Sequence, residues 1–199
     1  MPLLVLVRHG ESEYNVQNRF SGEADLPLTE KGREQASHAS KLLEGHRFDK
    51  AYTSNRQRAA ETLQIILNGI RNPEIPVLKT GNLKERENGI LGGVEKNEAR
   101  RKYGPEKIKE WTKSFESGPP QGESGKDVMA RILPLLNLQI IPDLDSGRNV
   151  IVVSHKQPVM CMVMCIERLK PENFGTIKID NSAPLFYERI NGGFRRKTG

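Results

Sequence analysis

The sequence predicts an α/β fold: a three-layer α/β/α sandwich with a mostly parallel central sheet, residues 1–199 forming one domain. Three observations carry this. The continuous apolar runs Leu3-Leu4-Val5-Leu6-Val7 and Val150-Ile151-Val152-Val153 have the composition of strands buried on both faces. Segments with apolar residues at helical spacing alternate with the strand-like runs, as in βαβ units. At 199 residues the chain is long enough for one full core and short for two.

The elements follow in order. After the first strand, Glu11 to Leu28 is polar and glycine-containing and reads as a loop. Thr29 caps a helix running to about Leu43, with Ala36, Ala39, Leu42 and Leu43 on its apolar stripe. Phe48 to Thr53 is a strand. Ser54 to Ile70 is a helix with Ala59, Leu63, Ile66, Leu67 and Ile70 on one face, and Pro76 to Lys79 is a short strand. Leu83 to Gly93 is a charged, glycine-bearing loop. Two polar helices follow, Glu95 to Tyr103 and Glu106 to Phe115, the second introduced by Pro105. Ser117 to Gly125 is a turn-rich break. Asp127 to Ile141 is a long helix that Pro134 should kink. The strand ending at Ser154, a Met- and Cys-rich helix and a last strand, Leu185 to Ile190, complete the layers. The rest is a Gly-rich basic tail.

Composition narrows the function. Lys and Arg number 31 against 25 Asp and Glu, a net charge of +6, which favours an anionic ligand. The basic residues are dispersed, and the runs Arg100-Arg101-Lys102 and Arg195-Arg196-Lys197 read as solvated surface. Aromatic residues make up 6% of the chain, little for base stacking, so no nucleic-acid partner is expected. No apolar stretch has the length of a membrane span and no signal-peptide pattern opens the chain, so a cytoplasmic protein with no membrane partner is expected. Cys161 and Cys165 are four apart in an apolar segment and read as core thiols rather than metal ligands. A homo-oligomer remains open.

The chemistry gathers at strand ends, where open α/β sheets hold their ligands. Arg8-His9-Gly10 ends the first strand and Ser154-His155 ends a later one, so two imidazoles should face one pocket, with Gly10 allowing close approach there. Arg58 follows the strand ending Tyr52-Thr53-Ser54, and Glu85 lies just beyond the strand near Val77. Two guanidiniums can clamp a phosphoryl group. One imidazole can attack phosphorus, a second, protonated one can neutralise charge on its oxygens, and a carboxylate can pass a proton to the leaving oxygen. This chemistry needs no metal, and the sequence has no P-loop.

The same residues sit in a longer pattern. Leu6-Val7-Arg8-His9-Gly10-Glu11-Ser12-Glu13, Asn15, Asn18-Arg19-Phe20-Ser21-Gly22 and Leu28-Thr29-Glu30-Lys31-Gly32 open it. Tyr52-Thr53-Ser54 with Arg58-Ala59, Leu83-Lys84-Glu85-Arg86, Lys96, Pro119-Pro120-Gln121-Gly122-Glu123-Ser124, Val152-Val153-Ser154-His155 and Ala183 to Glu188 continue it in order. This resembles the cofactor-dependent phosphoglycerate mutases of the histidine phosphatase superfamily. The resemblance implies a phosphoglycerate mutase-like fold and interconversion of 3- and 2-phosphoglycerate through phospho-His9, primed by 2,3-bisphosphoglycerate without a metal. It implies that Arg8, Arg58 and His155 bind the transferring phosphoryl group and that Glu85 donates the proton. Asn15, Ser21, Gly22 and Lys96 would bind substrate.

The chain departs from that pattern in the recognition residues. Lys156-Gln157-Pro158 stands where the mutases usually have Gly-Asn-Ser, Asn88 where they have tyrosine, and Thr112-Lys113 where they have paired arginines. Lys113, Lys156 and Gln157 are therefore the expected replacements in substrate binding, though a hydroxyl does not substitute for a bidentate guanidinium. Two other functions stay in view: a phosphohydrolase of the same scaffold acting on a small phosphorylated metabolite, and a non-catalytic protein that holds phosphorylated ligands.

Overall fold

The computed structural model describes residues 1–22 and 24–197. Six strands form one sheet: β1 (Leu3–Arg8), β2 (Lys50–Ser54), β3 (Val77–Thr80), β4 (Val150–Ser154), β5 (Leu185–Ile190) and β6 (Gly193–Lys197), in the spatial order β3-β2-β4-β1-β5-β6. The first four are parallel, while β5 and β6 run antiparallel at one edge. The helices are α1 (Glu13–Val16), α2 (Glu30–Leu42), α3 (Gln57–Gly69), α4 (Lys96–Tyr103), α5 (Pro105–Lys113), α6 (Gly125–Leu135), α7 (Ile141–Asp145) and α8 (Lys156–Glu167).

The apolar runs of β1 and β4 are buried on both faces because helices cover both. Leu4, Leu6, Val150 and Val152 pack with α6 and α8 residues, while Val5, Val7, Ile151 and Val153 pack with Ala39, Ala59, Leu63 and Ile66 of α2 and α3. Each such side chain, taken fully from water, contributes roughly 1.5–3 kcal/mol. A third small core of Phe20, Leu91, Ala99, Ile108 and Trp111 fixes α4 and α5 above the strand ends. No helix among the described residues is long and apolar enough to cross a membrane.

Several elements differ from the sequence reading. The 11–28 segment contains the single turn α1, which buries nothing and so leaves no apolar period. The tail is strand β6, an edge strand whose charges pair with neighbours: Arg195 and Lys197 with Glu188, Arg196 with Glu167. The long helix passes Pro134 and then widens to i→i+5 bonding over Leu136–Ile140, a stretch bracketed by Pro134 and Pro142, each lacking an amide hydrogen. Leu42, expected on an apolar stripe, is 51% exposed because the buried stripe runs through Gly32, Ala36, Ala39, Ser40 and Leu43 and turns Leu42 to its edge. Cys161 is buried and Cys165 half-buried against Met129, and burial pushes their thiols up to about 12 and about 11.

Candidate active site

The strand register builds the centre of the site. Arg8, the last residue of β1, lies opposite Ser154, the last of β4. The next residue on each strand is a histidine, so parallel pairing alone sets His9 beside His155, with ring centroids 4.9 Å apart and planes at 64°. The His9 amide donates to the Ser154 carbonyl at 2.9 Å, which locks this step in place.

His9 is held as a nucleophile would be. Its Nδ1 donates to the Gly10 carbonyl at 2.6 Å, leaving the lone pair on Nε2, which accepts from Arg58 Nε at 3.3 Å. Burial, then the charges of Arg58 and Arg8, hold the imidazole well below the ordinary histidine range, so it is neutral at pH 7. Gly10 serves packing rather than the approach of a ligand: a Cβ there would lie 2.2 Å from the Gly32 carbonyl oxygen in the first turn of α2.

His155 differs from the protonated imidazole expected. It is fully buried, and burial, followed by His9, Arg58 and Arg8, pushes it well below the ordinary value. Its Nε2 lies 2.7 Å from Ser54 Oγ, which already accepts the Arg56 amide at 3.2 Å. The hydroxyl hydrogen can be given to Nε2, and we assign the imidazole proton to Nδ1 on that basis, since Nδ1 is then a donor with no acceptor at the centre of the site. His155 is thus a neutral donor rather than a cation.

Around His9, three buried nitrogens find no partner among the described residues, His155 Nδ1, Arg8 Nε and Arg58 Nη2, and Arg86 Nε on the cavity wall is a further one. Arg8 and Arg58 are otherwise anchored. Arg8 Nη1 donates to Ile179 O at 3.1 Å and Arg58 Nη1 to Ala24 O at 2.8 Å. Buried donors are ordinarily satisfied, so a cluster of orphans marks a place for acceptor oxygens. Glu85 is the carboxylate whose charge offsets both guanidiniums against their burial. Its Oε1 accepts the amides of Arg86 at 2.9 Å and Gln157 at 3.2 Å, and its Oε2 accepts that of Lys156 at 3.2 Å. It thereby caps α8, whose N-cap residue His155 offers no side-chain cap.

A cavity of about 230 Å³ opens beside this cluster. Arg8, Glu85, Asn15, Ser21, Lys96, Lys156 and Gln157 line it, whereas His9, Arg58 and His155 lie buried outside its walls. Asn15 Oδ1 accepts the Ser12 amide at 3.1 Å, which steadies α1 at the wall. Gly22 falls in a neighbouring hollow that shares Ser21 and Asn88, its φ of +49° being one glycine adopts without strain. Lys113 is exposed at the end of α5 and outside the wall, though its charge reaches Lys156. Burial, then Lys156 and Arg8, lower the Lys96 ammonium. Lys156 is more open to solvent, yet desolvation followed by Arg8 lowers it too.

The wall also holds residues that the sequence reading left out of the site. Arg19, Arg86 and Arg100 bring further positive charge, and Phe20 and Ile108 add apolar surface, while Asn88 and Thr112, two of the departures noted in the sequence, also stand on this wall. Arg86 and Asn88 are mutually engaged, Nη2 to Oδ1 at 3.3 Å, and the Thr112 hydroxyl is spent on the Ile108 carbonyl of its own helix at 2.6 Å. Arg100 is exposed, as its basic run suggests, and it also lines the cavity rim. The signal for it is its place four residues after Lys96, one helical turn along the same face.

Comparison with known proteins agrees with this geometry. The model of the histidine phosphatase superfamily (branch 1) matches residues 4–197. The 2,3-bisphosphoglycerate-dependent phosphoglycerate mutase 2 of Gloeobacter violaceus is 40% identical over 193 residues, covering 97% of this chain and 88% of its own. The 2,3-bisphosphoglycerate-dependent phosphoglycerate mutase of Nitrobacter winogradskyi is 41% identical over 191 residues, covering 95% and 92%. Among solved structures, YhfR of Bacillus stearothermophilus superposes with a TM-score of 0.86 at 29% identity, over 98% of this chain and 95% of that one. A mycobacterial glucosyl-3-phosphoglycerate phosphatase shares the fold, with a TM-score of 0.87 at 23% identity over 100% and 99% of the two chains.

Proposed function

This chain belongs to the histidine phosphatase superfamily (branch 1), and from that premise we propose that it is a phosphoglycerate mutase interconverting 3- and 2-phosphoglycerate through phospho-His9. One observation carries the phosphoryl-transfer chemistry: a neutral His9, its lone pair on Nε2, set among three buried donors that lack acceptors. The mutase assignment within that chemistry rests on the two relatives at 40% and 41% identity.

In this reading His9 Nε2 forms a bond to phosphorus as the P–O bond of the incoming phosphate ester breaks. Arg58 Nη2, Arg8 Nε and His155 Nδ1 donate to the phosphoryl oxygens, most strongly as charge spreads over them in the transition state. Glu85 gives its proton to the leaving oxygen and takes one from the hydroxyl that next attacks phospho-His9. When bound, 2,3-bisphosphoglycerate supplies the phosphoryl group that first loads His9. The residues suit such a ligand: Arg8, Arg19, Arg86, Lys96, Arg100 and Lys156 face one cavity against the single carboxylate of Glu85. Arg8 would hold one phosphate, and Lys96 and Lys156 the carboxylate or second phosphate. Asn15, Ser21 and Gln157 would bind neutral oxygens. Gly22 and Lys113 would act from outside the cavity wall, Gly22 by shaping the Ser21 turn and Lys113 through its charge.

The test is one assay of 3-phosphoglycerate with a trace of 2,3-bisphosphoglycerate, following 2-phosphoglycerate and free phosphate together. The expected result is 2-phosphoglycerate in large excess. Free phosphate as the main product would replace this reading with a phosphohydrolase on the same scaffold. Neither product, with no labelled His9, would leave a phospho-ligand-binding protein.

A further inference from the structure

Outside the phosphoryl centre, the cations of this cavity are not neutralised. Elsewhere, partly buried cations are paired: Arg131 with Glu123 at 2.9 Å, and Lys50 with Asp143 at 2.8 Å. By contrast, Lys96, Lys156 and Arg100 make no ion pair among the described residues. Like charges gathered in a partly desolvated pocket repel one another, and the folded protein keeps that repulsion. An anion relieves it, and one phosphoryl group at Arg8 and Arg58 does not account for the cations on α4.

Arg100 is the least expected of these. It lies one turn beyond Lys96 on α4, and its charge is among those that bear on the Lys96 ammonium. Its Nη1 donates to Asn97 Oδ1 at 2.7 Å, which fixes the guanidinium plane, while Nε and Nη2 take no partner among the described residues. The facing helix α5 places no cation on the wall itself: Thr112 is bonded to its own helix and Lys113 lies off the wall. The small core of Ala99, Ile108 and Trp111 sits directly under this face and holds α4 in place.

We propose that Arg100 is a specificity-determining residue that binds the second anionic group of the substrate, so that the site selects ligands bearing two anionic groups over a lone phosphate. This rests on the proposed function for the identity of the ligand, and the test separates the two. Affinities for 2,3-bisphosphoglycerate and for inorganic phosphate are measured by calorimetry on the whole protein and on the R100Q, R100K and R101Q variants. Losing one charge-assisted contact predicts about a tenfold loss of bisphosphoglycerate affinity in R100Q. Phosphate binding should stay within about twofold, and R100K should recover part of the loss. R101Q removes an equal charge from the neighbouring position on α4, which does not line the cavity, and should change neither, which separates contact from general field. Activity in R100Q should show a raised KM with kcat little changed, as for a grip made equally in ground and transition states. The proposal is overturned if R100Q and R101Q behave alike, or if the unaltered protein binds bisphosphoglycerate no more tightly than phosphate. A product ratio dominated by free phosphate, with the affinity pattern intact, would refute the mutase reading and leave Arg100 in its role.

Discussion

Ser54→Ala tests how His155 is kept ready. Ser54 and His155 are both fully buried, and the 2.7 Å contact between Oγ and Nε2 is the one that places the imidazole proton on Nδ1. Alanine fits the strand, so the backbone pairing of β2 persists. What is lost is the partner of a buried nitrogen, a cost of roughly 1–3 kcal/mol. For a chain of this size each kcal/mol lowers Tm by about 2–4 °C, so calorimetry should record a fall of roughly 2–12 °C. The rate effect is separate. Without the hydroxyl the proton is no longer held on Nδ1, and the donor to the phosphoryl oxygens is present only part of the time. Losing such a charge-assisted bond outright costs roughly 1.5–3 kcal/mol, so about ten- to a hundredfold in the rate of His9 phosphorylation is the upper limit, and the fall is smaller in proportion to the Nδ1–H tautomer that persists. Single-turnover labelling measures that rate directly. A lower Tm with an unchanged labelling rate would refute the tautomer argument and leave Ser54 as a packing residue. An unchanged Tm would refute the hydrogen bond itself.

Other expectations follow from the same geometry. The acid limb of kcat/KM should lie well below 6.5, because burial and two guanidiniums keep His9 neutral there; a limb at 6.5 would contradict this. Stability carries the same sign. The unfolded chain takes up protons on both histidines below 6.5 before the folded one does, so unfolding free energy is level above that pH and falls beneath it. Phosphate trapped on His9 should be lost in acid and survive alkali, and His9→Ala should abolish both label and turnover. Thr112→Arg with Lys113→Arg adds a guanidinium to a wall where the present hydroxyl is spent on its own helix; more 2-phosphoglycerate and less free phosphate is the expected outcome, and a loss of mutase activity would point to a pocket shaped for another phosphorylated substrate. Alkylation of Cys161 and Cys165 at neutral pH should be slow until the protein unfolds, since both thiols titrate far above 7.

The parts of the molecule readable in the sequence are those where one local pattern has one structural meaning. The runs of β1 and β4 could only be buried strands, and residues at their ends had to share an edge, so Arg8, His9 and His155 could be placed together. Arg58 and Glu85 followed from the same rule. Strand β6 was hidden because an edge strand needs no apolar period: its charged side chains are satisfied by Glu188 and Glu167, contacts visible only once the sheet is closed. Ser54 gave no signal, since a serine ending a strand is commonplace until a histidine from another strand stands beside it. The protonation of His155 depended on a density of positive charge and a depth of burial that spacing does not disclose. Arg100 was obscured because all three residues of the run are exposed as the pattern suggested, and only its place on the cavity wall sets it apart from Arg101 and Lys102.

Glu85 ties the chemistry to the backbone in one more way. The same carboxylate that would shuttle the proton also receives the first free amides of α8, at Lys156 and Gln157. Each time it takes up a proton, those two bonds lose the charge that strengthens them, and each time it yields one they regain it. With Glu85 as the proton shuttle, the opening turn of α8, which carries Lys156, would be held less firmly whenever the carboxylate is protonated. Amide exchange at Lys156 and Gln157 should accordingly quicken in Glu85→Gln, while exchange in the rest of α8 stays as it was.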